Sequence, residues 1–419
     1  MQDRIRDALG ASGQPVIWHV PGRVELLGKH TDYAGGRSLL CALERGLAIG
    51  MVPRSDARVT FLDASSGARA AFDLGPDLVP LTGRWAGYPM TVARRLARNF
   101  PEARRGADLA LASDLPSAAG MSSSSALVVA TFLALAEANA LPDTPAWQEH
   151  LGTPEALAEY LGCMENGLDF GPFPGDHGVG TFGGSQDHTA ILCCREGQMS
   201  GYSFCPVTAE GTTPWPAGQA LVVAASGVRS RKSGPQKEAY NRLSVATRRI
   251  LERWKAASGS GARSLGAAVR EDGAVVAISA LLDGAADPEF PEGFLAGRFR
   301  QFVAESTEII PAAFAALREL DLAEFGRQVD RSQAGAEAGL QNQVPETIHL
   351  ARRARELGAA AASAFGAGFG GSVWAMVDAP AAGRFLQEWK ADYHRRFPGP
   401  ARRADFFRSA LGPPARRLD

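Results

Sequence analysis

A chain of 419 residues, 45 % apolar and 21 % charged, has the size for two or three domains and the composition of a globular protein. Its formal net charge of −1 excludes a chain-wide basic surface for nucleic acid or membranes, and no apolar stretch reaches spanning length without charge or glycine. The five cysteines (Cys41, Cys163, Cys193, Cys194, Cys205) lack zinc-site spacing and read as buried free thiols, and MQDRIRDALG lacks a signal-peptide core, so a cytoplasmic location is expected. In chain order, Val16–Val20 reads as a strand, Pro21–Gly22 as a turn, and 23–36 as a polar, glycine-punctuated segment. Alternation predicts strands over Ala57–Ala64 and Ala70–Leu74, and a helix begins near Tyr88 with Met90, Val92 and Leu96 on one face. Asp108–Ala112 is a short apolar strand running into a Pro/Ser/Gly turn. The nearly uncharged run from Ser122 to Leu141 predicts a buried helix. A second helix covers Pro154 to Glu165, and Asn166–Ser185, with seven glycines and two prolines, is a loop. Ala190–Cys194 and Ala220–Ala225 read as strands, and Pro235–Ala257 as a helix. Helices predominate from Phe294 to Leu357, and glycine-rich Ala364–Gly371 leads into a strand over Ser372–Val377. The basic C-terminal end (Arg402, Arg403, Arg408, Arg416, Arg417) reads as a solvated tail. Strands and helices mixed without regular alternation predict an α+β class, with a domain junction near residues 195–218.

Three glycine-bearing segments carry the chemistry. Asp114-Leu-Pro-Ser-Ala-Ala-Gly-Met-Ser-Ser-Ser-Ser lies between a strand and a helix, the context of a phosphate cradle: unpaired N–H groups and the helix dipole attract an anion. Ser117 to Gly120 let the backbone approach closely, and four serines supply hydroxyls. A serine cap before a packing helix needs only one of them. This is not a Walker sequence, because the Gly-Lys-Ser/Thr ending is missing. Pro21–Gly36 concentrates Arg23, Lys29, His30, Asp32 and Tyr33, with Asp and His suited to gripping hydroxyls, although a solvated polar loop has the same composition. Ala364–Ser372, with four glycines in six residues, is a special turn or a loop before an edge strand.

In this order the segments resemble the three motifs of the GHMP kinase superfamily (galactokinase, homoserine, mevalonate and phosphomevalonate kinases). GRVELLGKHTDYAGG is similar to the galactokinase signature, whose usual form is GRVNLIGEHTDYNGG. Trp85-Ala-Gly-Tyr resembles Trp-Ala-Asn-Tyr, Gly184-Ser-Gln-Asp187 resembles Gly-Ile-Met-Asp, Glu238-Ala-Tyr-Asn resembles Ser-Glu-Tyr-Asn, and Val344-Pro-Glu resembles Cys-Pro-Glu. The likeness runs from about Pro21 to about Val377. It implies a two-domain GHMP kinase fold, an N-terminal α+β domain (1–210) and a ferredoxin-like C-terminal domain (211–419), with ATP and a sugar in the cleft between them. It further implies an ATP-dependent sugar 1-kinase whose catalytic aspartate is Asp187, with Arg23 beside it. Ser124 and Glu165 match the Mg²⁺-facing residues. Lys29, His30, Asp32, Gly184 and Tyr240 match sugar-binding positions. Pro116, Ala118, Ala119, Gly120, Met121, Ser122, Ser123 and Ser124 form the ATP-phosphate segment, and Trp85 matches an aromatic near adenine. The implied partner is a small sugar, with neither nucleic acid nor membrane, for a monomer or homodimer.

Four departures from the pattern stand out, and all but Ala118, in the phosphate loop, bear on substrate. Lys29 replaces a glutamate facing the C6 end of the sugar, which points to galacturonate if the ammonium meets a C6 carboxylate, and to galactose if it turns away. The loop 166–185 is longer than usual, with Asp169, Asp176 and His177 able to add contacts or cover the site. Ala118 stands for a glycine, and His188 for a glutamine. An arabinose-like substrate and a catalytically silent sugar sensor are the remaining alternatives.

Overall fold

The structure is a computed structural model that describes residues 1–10, 13–116, 119–229 and 235–418. Strands β1 (Val16–Leu27), β2 (Arg37–Pro53), β3 (Arg58–Asp63), β4 (Arg69–Asp73), β5 (Ala107–Ser113), β6 (Gln198–Ser203) and β7 (Thr208–Pro214) belong to one sheet. Strands β8 (Gln219–Ala225), β9 (Ala361–Phe365), β10 (Ser372–Asp378) and β11 (Asp405–Ser409) form a second, and β12 (Arg416–Leu418) returns to the edge of the first. The large sheet runs β12-β1-β2-β5-β3-β4, with β6 joining β2 to β7. Only its β3–β5 pair is parallel among the described strands.

The small sheet is antiparallel in the order β11-β8-β10-β9. With Pro345–Glu356 before β9 and Ala382–Arg396 before β11, this is a ferredoxin-like arrangement, and the whole is of the expected α+β class. A long helical segment, from Pro235–Ser258 to Leu322–Gly335, sits between β8 and β9. We place the domain boundary in the connection 215–218, since residue 210 falls within β7.

The helix Ser123–Ala138 is buried all round and fills the core behind the large sheet through Val129, Phe132 and Leu135. That is where a helix whose one charge is Glu137, near its end, can be stable. The N-terminal helix Gln2–Leu9 packs on β2 at Gly50, where a Cβ would stand 2.2 Å from Ile5 Cγ2.

Several local expectations change. Pro21–Gly22 is not a turn: β1 passes through it to Leu27, with a register shift between Pro21 and Arg23 where proline offers no ladder donor. Ala190–Cys194 is not a strand but the end of the helix Gln186–Cys193, short apolar runs being ambiguous between the two. Ala364–Gly371 joins two strands rather than a helix and an edge strand, and β10 after it is central. The basic C-terminal end is tied down by β11 and β12, with Arg417 Nη1 2.7 Å from Glu137 Oε1. Of the cysteines, Cys41 and Cys194 are buried, Cys163 and Cys193 half-buried, and Cys205 is exposed. No helix among the described residues is long and apolar enough to cross a membrane.

Candidate active site

A cavity of about 1100 Å³ opens where β1, the start of the Ser123–Ala138 helix and the Gly366–Ala367 turn meet. Arg23 and Glu25, two apart on β1, share a face and both line it. Arg23 is buried. Its Nε and Nη2 reach Asp187 Oδ1 at 2.8 and 2.7 Å, and its Nη1 donates to the Gly120 carbonyl at 2.5 Å. One rigid guanidinium thereby fixes a carboxylate against the phosphate-type loop. Asp187 sits in the first turn of its helix, and its Oδ2 accepts from Ser125 Oγ at 3.3 Å.

Gly120 (φ 77°) and Ser122 (φ 59°) both adopt the left-handed conformation as the chain enters the helix. The first helical turn, whose N–H groups lack intrahelical partners, borders the cavity through Ser123, Ser124 and Ser125. Ser372 at the start of β10 closes this loop from the other half of the molecule, donating to the Ala119 carbonyl at 2.6 Å. A Cβ on Gly120 would meet Gly371 Cα at 3.5 Å.

The lining also carries His30, Asp32, Tyr33, Gly184 and Tyr240. His30 Nε2 lies 3.0 Å from the Ala367 carbonyl, which can only accept, so Nε2 bears the proton and Nδ1 accepts from Tyr33 Oη at 3.0 Å. Burial pushes the imidazole down to about 3, which keeps it neutral. Buried Arg298 donates to the His30 carbonyl and, at 3.3 Å, to Tyr33 Oη. Asp32 accepts from the Gln186 amide N–H at 3.1 Å, and burial raises its carboxyl. Gly184 is required beside it, since a Cβ there would stand 2.5 Å from Asp32 Oδ2.

Glu165, ending the helix Pro154–Asn166, is buried with Oε2 3.1 Å from His188 Nε2. The following loop is held at both ends: Asn166 Oδ1 accepts from Gly183 N and Thr181 Oγ1, and Asp176 meets Arg94 Nε at 2.7 Å. His177 to Gly180 line the cavity, so the extra length of this loop forms wall.

Comparison with known proteins gives this geometry its context. Three family models match: the galactokinase galactose-binding signature over residues 6–53, the GHMP kinases N terminal domain over 87–169, and the GHMP kinases C terminal over 313–395. The chain belongs to the galactokinase family of GHMP kinases. This galactokinase-family chain is 29 % identical over 384 residues to a galactokinase from Roseiflexus sp. strain RS-1, covering 90 % of this chain and 88 % of the relative. It is 33 % identical over 224 residues to a galactokinase from Chloroflexus aggregans, covering 52 % and 51 %. The fold matches the crystal structure of Lactococcus lactis galactokinase complexed with galactose, with a TM-score of 0.81 at 22 % identity, covering 99 % of this chain and 98 % of that one. The chain is a sugar kinase by family and fold.

Among the residues singled out from the galactokinase-type motifs, the structure gathers Arg23, His30, Asp32, Trp85, Gly120, Ser122, Ser123, Ser124, Glu165, Gly184, Asp187 and Tyr240 around the one cavity. Trp85 also packs edge-on against Phe61, ring centres 5.5 Å apart. Ala119 and Met121 are buried behind the loop, Pro116 is outside the cavity lining, and Ala118 lies outside the described residues. Lys29 departs most. It is neither solvated nor part of the lining, and its Nζ donates to Ser332 Oγ at 3.0 Å in the interior. Sequence reasoning missed Glu25, Lys237, Gln186 and Arg298. Lys237 lies one turn before Tyr240 on the same helix, and Glu25 two residues past Arg23 on its strand, so periodicity held a signal for both. Arg298, nearly 270 positions from its partner His30, left none.

Proposed function

We propose that the chain transfers the γ-phosphoryl group of ATP to the anomeric hydroxyl of galactose or a closely related neutral sugar, giving sugar 1-phosphate and ADP. The observation that carries the reading is the convergence on one cavity of the Arg23–Asp187 pair, the serine-bearing helix start, His30, Asp32 and Tyr240. Asp187 accepts the anomeric proton, the freed oxygen attacks the γ-phosphorus, and the bond to the bridging oxygen of ADP breaks. Arg23 offsets charge on the transferred group, and the helix start and Lys237 receive phosphate oxygens. One hydroxyl and one carboxylate that both line the cavity, Ser124 and Glu165, would supply oxygen donors of the kind that fit Mg²⁺. When bound, Mg²⁺ neutralises phosphate charge. Glu165→Gln is accordingly expected to raise the Mg²⁺ concentration for half-maximal activity, and an unchanged requirement would remove Glu165 from that role. The reaction belongs to the cytoplasm.

The galactokinase relatives, one solved with galactose, put that sugar first. A uronic acid is disfavoured because the Lys29 ammonium is engaged by Ser332, away from the cavity lining. A silent sensor is disfavoured because Arg23, Asp187, Glu165 and the four serines are all present on the cavity. The test is ATP consumption over galactose, galacturonate, arabinose, fucose and N-acetylgalactosamine, with the phosphate located by NMR. A 1-phosphate of galactose is expected. Absence of any sugar-dependent ADP would overturn the reading.

A further inference from the structure

Glu25 is a buried group that the mechanism above leaves unused. It is 2 % exposed, yet lines the cavity beside Asp32, Gln186 and Asp187. Its Oε2 accepts from Gln186 Nε2 at 2.8 Å, and Gln186 Oε1 in turn accepts from Ser38 Oγ at 2.6 Å. The other carboxylate oxygen, Oε1, is equally buried and has no hydrogen-bond partner among the described residues. The cations nearest in charge influence are Lys29 and Arg23, and both have other partners: Lys29 donates to Ser332, Arg23 to Asp187 and Gly120. A buried carboxylate with an unused acceptor, on the wall of a cavity, is costly unless a ligand completes it.

We infer that Glu25 is a specificity-determining residue of the sugar subsite, its unused oxygen accepting a hydrogen bond from a substrate hydroxyl and its charge repelling a sugar that bears a carboxylate. The inference rests on the sugar-kinase reading of the cavity and names what that kinase selects. Burial raises this carboxyl to about 7, so at pH 8, where the sugars are compared, it is a carboxylate that can only accept, and it rewards a donor and rejects an anion. The sequence context agrees. The usual galactokinase signature has asparagine at the place of Glu25 and glutamate at that of Lys29, so this chain carries a carboxylate where the signature has an amide.

The experiment measures kcat/KM for galactose, its 2-, 3-, 4- and 6-deoxy forms and galacturonate, with wild type and Glu25→Gln, alongside calorimetric binding and a thermal melt. A hydrogen bond to a charged group corresponds to roughly 10- to 150-fold. Wild type is expected to prefer galactose to galacturonate by at least about tenfold, and to lose a similar factor with one deoxy sugar. In Glu25→Gln that deoxy sugar and galactose should draw level to within about twofold, and galacturonate should gain on both. A structural role would depress all sugars alike. Equal losses across the series, or a wild type that prefers galacturonate, overturn the inference, and the second comparison stands even if the variant fails to fold. Sugars that bind without turnover sink the kinase reading alone, with the series then read as Kd. A wild type that neither binds nor phosphorylates them overturns both.

Discussion

Asp187 and Glu25 are two carboxylates on one cavity, and their surroundings assign them different work. Asp187 faces a guanidinium and a serine hydroxyl at the phosphate-type loop, and in the proposed mechanism it is the proton acceptor. Asp187→Asn is expected to retain ATP binding and lose roughly 10²-fold or more in kcat. An Asn variant with near-wild-type kcat would remove it from the chemistry. Glu25 faces an amide among Lys29, Arg23, Asp187 and Glu305, and burial, opposed by the two cations, pushes its carboxyl from 4.5 up to about 7. The folded chain therefore holds this proton more tightly than the unfolded chain, and the group takes away stability as pH rises from 4.5 to 7. His30 acts in the opposite sense: lowered from 6.5 to about 3, it adds stability as pH rises through that window. Wild type alone would blend the two, whereas Glu25→Gln removes only the first. Its melting temperature should gain on that of wild type between pH 5 and pH 8. A gap that stays constant, or narrows the other way, would show that Glu25 is not a buried acid of this kind. Arg23, His30, Asp32 and Asp187 were legible because a signature carries residue type and order together. Glu25 was hidden inside the same signature, since a charge in a polar-looking segment reads as solvated until the strand that buries it is known.

At the scale of elements, the phosphate-type loop is shaped by two backbone turns and held by a hairpin from the other sheet. The sequence announced the loop through its strand–glycine–serine–helix order, and the structure has the helix start at Ser123. It did not announce the lock. Ser372 lies some 250 residues beyond Ala119, and nothing local to either marks their contact. The turn Gly366–Gly371 brings them together with four glycines at positive φ, Gly366, Gly368, Gly370 and Gly371. Gly368 has no alternative, since a Cβ there would lie 2.4 Å from the Asn342 carbonyl. Ser372→Ala removes a buried hydrogen bond worth about 1 kcal/mol and leaves a carbonyl unpaired. The expected result is a KM for ATP raised by roughly fivefold with the sugar KM unchanged. If both KM values move together, the hairpin supports the cavity as a whole. The helix misread as the strand Ala190–Cys194 belongs to this scale too. Five apolar residues fit either element, and the start signal lay upstream at Asp187, in a segment read for its chemistry alone.

Across the whole molecule, the segment after β1 is clamped by helices from the C-terminal half, and Lys29 is part of the clamp. Arg298 holds the His30 carbonyl, and Gln301 Nε2 donates to the Lys29 carbonyl at 3.3 Å. Gly28 N donates to Glu305 Oε1 at 2.7 Å, and Ser332 donates to the same oxygen at 2.8 Å while receiving Lys29 Nζ at 3.0 Å. Lys29, Glu305 and Ser332 are all buried, so this is an interior charge relay tying a loop of one half to helices of the other. The sequence displayed Lys29 as a departure from the signature but could not show its direction, because Glu305 and Ser332 lie some 280 and 300 residues further on. Lys29→Glu would set a second carboxylate against Glu305 and leave Ser332 without its donor. Lys29 meets Glu305 through the Ser332 hydroxyl, so the loss is that of a hydrogen bond from a charged donor, about 1.5–3 kcal/mol, and the reversal adds like-charge repulsion. The melting temperature should therefore fall sharply, and activity on galactose and on galacturonate should fall in parallel, with Lys29→Met milder than Lys29→Glu because it adds no charge. Melts and kcat/KM for both sugars with both variants check this. A variant that melts like wild type while shifting the ratio of the two sugars by tenfold or more would mean that Lys29 reads C6 from within the cavity, and a uronic acid would replace galactose as the substrate.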